Sequence, residues 1–169
     1  MLFRSERAAI PASFLYAIMR TESGFDARAV SVAGARGVIQ LLPSVARGVA
    51  RLAGRPESDA ERIFEPEVAI DLGAALLGAE RRELGSLLLA AAAYNGGAPN
   101  VAQWLTQFHA LELERFIERI PFRETRDYVK RVLAVEATYR GLQGGALELE
   151  LPATLSPPTG PLTHFPVDE

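Results

Sequence analysis

Glu22, Gln40, Tyr94 and Glu124 are the side chains of this 169-residue chain whose surroundings are suited to chemistry. Glu22 closes an apolar run that includes Phe14, Leu15, Ile18 and Met19, and it stands just ahead of Ser23 and Gly24. A carboxyl half inside an apolar wall keeps its proton more readily than one in water, because desolvation penalises the charged form. An acid still protonated near neutral pH is what general-acid catalysis requires. The commoner alternative is a solvated glutamate in a last helical turn, since acids are seldom buried. Gln40 lies within Val38-Ile39-Gln40-Leu41-Leu42, and an amide in that company must find partners in the protein or in a ligand. Tyr94 offers a ring face and a hydroxyl to a ligand at the wall of a cleft, or is a core tyrosine with a satisfied hydroxyl. Glu124 either reaches into a cleft or simply favours a helix start electrostatically. Asp26 follows Glu22 closely, but beyond Gly24 its side chain need not face the same way.

The elements that would position these groups are helical. Pro11 suits a first turn, and the apolar spacing predicts a helix to Ser23, stopped by Gly24. The small residues from Ser31 to Gly37 read as a tight turn or short hairpin, with no other confident strand beyond residues 31–39. Pro43 starts a second helix to Leu52, and residues 54–66 read as a charged, proline-bearing loop. Pro66 opens a third, with Val68, Leu72, Leu76 and Leu77 on one side and Glu80 to Glu83 as its polar end. Ser86 is a candidate cap for Leu87 to Tyr94, apolar on every face and therefore central and buried. Tyr94-Asn95-Gly96-Gly97 is a sharp helix-to-helix turn, against which Trp104 is expected to pack. Pro99 to Phe108, Leu111 to Glu118 and the amphipathic Thr125 to Tyr139 complete the series, with Ile120-Pro121-Phe122 an extended link. Residues 1–9 are a lead-in, 10–142 the domain and 143–169 a proline-rich tail with little regular structure.

Composition narrows the function. A chain of this length buries a sizeable core as one domain. Hydrophobic residues make up 49% and charged residues 23%, with a mean hydropathy of +0.08, and no stretch approaches a membrane span. Net charge is −3, which argues against nucleic acid as the main partner. Arg47, Arg51 and Arg55 recur every four residues, most simply as a solvated helix face. There is no cysteine, and His109 and His164 lie in no metal-ligand spacing, so no metal and no cofactor is expected. No phosphate-cradling glycine motif is present. Arg4 and Arg7 ahead of an apolar run imitate an export signal, but Glu6 and Pro11 interrupt it. Any export signal is expected upstream of this chain.

Four blocks, Glu22-Ser23, Ala33-Gly34-Ala35-Arg36-Gly37-Val38-Ile39-Gln40-Leu41-Leu42-Pro43, Ala93-Tyr94-Asn95-Gly96-Gly97 and Ile120 to Val129, resemble in order and spacing the catalytic domain of soluble lytic transglycosylases. The likeness runs from about Ile10 to Tyr139. It implies an all-α fold of the α+β lysozyme-like superfamily, related to goose lysozyme: a compact helical lysozyme-like domain with at most a short hairpin near residues 31–39. It also implies cleavage of the β-1,4 bond between N-acetylmuramic acid and N-acetylglucosamine in peptidoglycan glycan strands, leaving 1,6-anhydro ends. On this likeness Glu22 is the single acid/base and Ser23 the serine that follows it. The likeness further implies that Ser23, Ser31, Gln40, Leu42, Tyr94, Asn95 and Glu124 bind the glycan, with Glu124 lining the same cleft. The implied location is the periplasm or cell envelope, with other envelope proteins or further domains as partners. Two departures stand out: Val38-Ile39-Gln40 and Leu42 replace a Leu-Met-Gln and a methionine, which bears on subsite fit, and Ala69 stands where an asparagine is expected, which loosens a supporting hydrogen bond.

A lone acid is chemically sufficient under one condition. Most glycosidases use two carboxyls, whereas here the same glutamate would protonate the leaving oxygen and then deprotonate a sugar hydroxyl that closes on the anomeric carbon. The rival readings are a goose-lysozyme-like hydrolase, and an inactive glycan-binding module or helical scaffold piece.

Overall fold

The apolar spacing and the proline and glycine punctuation place helices where the chain has them. The structure is a computed structural model describing residues 10–108, 111–144, 155–163 and 165. The lead-in over 1–9, both histidines (His109 and His164), and 145–154 and 166–169 of the tail lie outside the described residues. Among the described residues the fold is all-α, and two isolated bridges, Val30 with Arg36 and Arg36 with Leu41, are what exists of the short hairpin. Positive φ at Gly34 and Gly37 turns the chain back before a ladder can grow.

The chain divides into two compact units, residues 1–78 with 165–169, and residues 79–164. In the first, α1 (Ala12–Ser23) follows Pro11 and buries Phe14, Leu15, Ala17, Ile18 and Met19. Pro43 opens α2 (Pro43–Leu52), which packs against a 3₁₀ turn (Glu57–Arg62) inside the segment expected to be loop. That turn is held by charge. Buried Asp59 accepts from Arg55 at 2.7 Å and from Arg62 at 3.0 Å, and Arg62 also pairs with Glu65. Arg55 further reaches Asp71, so it joins an ion network, while Arg47 and Arg51 stay exposed. The Arg55 hydrogen bond is the chief reason the Asp59 carboxyl is held below the usual carboxylate range.

Helix α3 (Pro66–Leu84) begins in the first unit, where Ala69 is fully buried, and ends in the second. Its expected polar end is corrected at one residue, because Glu80 is only 4% exposed. Glu83 beyond it binds the tail: Thr163 donates its N–H at 2.7 Å and its hydroxyl to the Glu83 carboxylate. Ser86 caps α4 (Leu87–Gly96) by accepting from the Leu88 N–H, and Leu88 to Ala93 are buried as expected. The helix runs two residues further than expected, through Asn95 and Gly96. A single residue, Gly97, then links it to α5 (Ala98–Gln107).

Helices α6 (Leu113–Arg119) and α7 (Arg123–Leu142) follow, and α4 packs on both α5 and α7. The core of this unit gathers Leu88, Leu89, Ala92, Val101, Trp104, Leu105, Phe116, Ile120 and Val129. It also includes Leu155, 4% exposed, from a tail segment that has no helix or strand. A fully buried leucine contributes roughly 1.5–3 kcal/mol relative to an exposed one, so this segment adds to the unit without regular structure.

Candidate active site

Glu22 sits in the last turn of α1, half-buried. Gly24 ends the helix in a left-handed conformation, donating its N–H to the Arg20 carbonyl at 3.2 Å, while the Phe25 N–H reaches Met19. Asp26 is exposed and its carboxylate accepts from the Arg28 N–H at 2.8 Å, a local turn bond that points it to the backbone ahead.

The Ser23 hydroxyl donates to the Val38 carbonyl at 2.9 Å and approaches Met19 O at 3.3 Å. It therefore braces the end of α1 against the segment that carries Gln40. Gln40 is half-buried with φ 49, and its Nε2 donates to Ala29 O at 3.1 Å and Gly37 O at 2.8 Å. The amide thus ties two turns together, one of the two roles the sequence left open. Gly37 has φ 75, and a Cβ there would overlap the carbonyl oxygen of Ile63, so the turn rests against backbone at a point where only glycine fits. Ser31 is exposed and accepts from the Ala35 N–H at 3.0 Å, closing the loop tip. Leu42, half-buried, is the residue before α2. Glu22, Ser23, Ser31, Gln40 and Leu42 are thus carried by one helix end and the two turns that follow it.

In the second unit Tyr94 and Asn95 are half-buried in the last turn of α4. Asn95 Oδ1 accepts from the Thr125 hydroxyl at 2.7 Å, and Asn100 caps the Gly96 carbonyl at 2.8 Å. A side chain at Gly96 would crowd Thr125 and Trp104, which fixes α4 close to α7. Trp104 is buried beside this turn and meets Phe122 edge-to-face at 5.1 Å. Glu124 is exposed in the first turn of α7, next to Thr125. The Asn95–Thr125 bond therefore joins the Tyr94 turn to the helix start that carries Glu124.

Sequence reasoning missed Phe25, which with Gln40 makes the pair of non-glycine residues at positive φ among the described residues. Only the preceding glycine signalled it. Among the described residues no group of three or more His, Cys, Asp or Glu side chains is placed to hold a metal ion. No helix there is long and apolar enough to cross a membrane.

Residues 2–117 match the family described as Transglycosylase SLT domain, and residues 119–148 match the Soluble lytic transglycosylase helical domain. The soluble lytic murein transglycosylase of Escherichia coli K12 is 36% identical over 138 residues, covering 80% of this chain and 21% of that protein. A putative soluble lytic murein transglycosylase of Haemophilus influenzae is 40% identical over 136 residues, covering 79% and 23%. Among solved structures, an inactive glutamate-to-glutamine mutant of the lytic transglycosylase Slt from Pseudomonas aeruginosa superposes with a TM-score of 0.80 at 36% identity. It covers 86% of this chain and 24% of that one. The chain thus spans about a fifth to a quarter of the length of these curated relatives.

Proposed function

The chain belongs to the transglycosylase SLT family, and from that membership we propose that it is a peptidoglycan lytic transglycosylase with Glu22 as its one acid/base. The observation that carries the reading is Glu22 half-buried at the end of α1, in a chain that matches the family over 2–117. Asp26, the nearest other carboxylate in sequence, is exposed and bound to its own turn, which leaves no second acid beside Glu22 in sequence.

The reaction balances with this one group. Protonated Glu22 gives its proton to the oxygen leaving the anomeric carbon of N-acetylmuramic acid, and the C1–O bond breaks with assistance from the substrate's N-acetyl group. The Glu22 carboxylate then takes the proton of the sugar's own O6 hydroxyl as O6 bonds to C1. The products are a free 4-hydroxyl on N-acetylglucosamine and a 1,6-anhydro end, no water is consumed, and Glu22 returns to its protonated state. Ser31, Gln40 and Leu42 in the first unit, and Tyr94, Asn95 and Glu124 in the second, are each assigned a part in glycan binding. Gln40 suits this because its nitrogen is already engaged with Ala29 and Gly37, which fixes the orientation of the amide. An inactive relative differs by one glutamate-to-glutamine change, in keeping with a single essential acid. The envelope is the place of action, as the relatives' names specify murein.

Digestion of purified peptidoglycan by the full chain tests the reading, with products resolved by mass. Anhydro-ended fragments are expected; reducing ends alone would reassign the chain to hydrolysis. Glu22→Gln is expected to lower the rate by at least roughly 10²–10⁴-fold, the usual contribution of a general acid, while glycan binding persists. Unchanged lysis by that variant removes Glu22 from the mechanism.

A further inference from the structure

We infer that Phe25 is a specificity-determining residue whose ring packs against a sugar of the bound glycan; this rests on the reading of the chain as a lytic transglycosylase. Phe25 has φ 72, a left-handed conformation that bulky residues rarely adopt and that asparagine or glycine enters far more easily. A strained residue is usually retained for what its side chain does. Filling the core is not that role here, because Phe25 is 41% exposed.

The ring is nevertheless held in place. It meets the edge of Tyr16 at 6.5 Å and 66°, and the Phe25 N–H donates to the Met19 carbonyl at 3.4 Å. That bond fastens Phe25 to the last turn of α1, the turn that carries Glu22, with Ser23 and Gly24 alone between them. Further along the same connection to Gln40, Val30 is 61% exposed and Val32 is fully exposed, so the segment joining two assigned site residues turns several apolar groups outward. A β-1,4-linked glucosamine ring carries its polar groups around its rim and C–H bonds on its faces. An ordered, exposed aromatic ring is the protein group that complements such a face at small entropic cost, and loops next to a reactive group are where such contacts accumulate.

The test is steady-state cleavage of soluble peptidoglycan glycan oligomers by the full chain carrying Phe25→Asn or Phe25→Trp. Asparagine accepts the left-handed backbone and removes the ring. The expected result for Phe25→Asn is an unchanged or higher Tm with KM raised roughly tenfold, the worth of one aromatic contact, and kcat within a few-fold. Phe25→Trp is expected to keep KM near the wild-type value. Wild-type KM in Phe25→Asn overturns the inference, as does a lowered Tm with kcat and KM lost together, which would make the ring a structural prop. If the wild-type chain itself neither cleaves nor binds the oligomers, the proposed function fails and this inference with it. A cleaving wild type beside an unaffected Phe25→Asn removes the inference alone.

Discussion

The hydroxyl of Ser23 donates to the carbonyl of Val38 at 2.9 Å, and this bond holds the turn bearing Glu22 to the segment bearing Gln40. Ser23→Ala is expected to cost about 1 kcal/mol, or roughly 2–4 °C in Tm. Catalysis should suffer more than stability, with kcat falling at least roughly tenfold, because small displacements of a reacting group are expensive. Ser23→Thr keeps the hydroxyl and should recover most of the rate. A loss confined to KM would instead make Ser23 a glycan contact.

Gly37 tolerates no side chain, since its φ of 75 is left-handed and a Cβ would overlap the Ile63 carbonyl. Gly37→Ala should destabilise the fold by on the order of 3 kcal/mol. Thermal melts check this, and a loss below about 0.5 kcal/mol, the scale of an ordinary surface change, would mean that the 3₁₀ turn readily moves aside.

Glu80 is buried, and its Oε2 has no hydrogen-bond partner among the described residues. Desolvation, assisted by the neighbouring Glu83, pushes its carboxyl well above the usual range. The folded state therefore keeps a proton that the unfolded chain releases above its ordinary carboxyl pKa, so stability declines as pH rises from there toward the folded value. Glu80→Met should remove that decline, raising Tm by about 2–4 °C near neutral pH for a gain of about 1 kcal/mol. The gain should vanish toward pH 4. Melts of both proteins across that range decide the point; a variant less stable at neutral pH would show the carboxyl to be satisfied.

Leu155 joins the core of the second unit from 13 residues past the end of α7 (Leu142), and Thr163 reaches Glu83. Leu155→Ala should cost roughly 2–5 kcal/mol, as buried leucines do. Chemical denaturation measures it. A near-neutral result would leave the tail an accessory.

The helices were legible because their signals are local: Pro11, Pro43 and Pro66 at starts, Gly24 and Gly54 just past ends, and apolar residues at helical spacing between. Glu22 stands out as a candidate because an acid ends such a face. Other features depend on residues far apart in sequence, which no local pattern carries. Glu80-Arg81-Arg82-Glu83 reads as a solvated run, and the tail that engages Glu83 lies 80 residues away. The 3₁₀ turn was hidden because Asp59, Arg55 and Arg62 look like ordinary loop charges until they pair. The sequence marks Ser23 and Gln40 as candidates, but their bonds to Val38, Ala29 and Gly37 exist only once the turns close.

The segment around Asp59 is tied by guanidinium–carboxylate pairs, of which Arg62–Glu65 and Arg51–Glu57 are open to solvent. Dissolved ions weaken such exposed pairs, so the hold on this segment loosens as ionic strength rises. Because the Ile63 carbonyl of this segment lies against Gly37, and Gly37 in turn accepts from Gln40, the saltiness of the medium has a mechanical route to an assigned site residue.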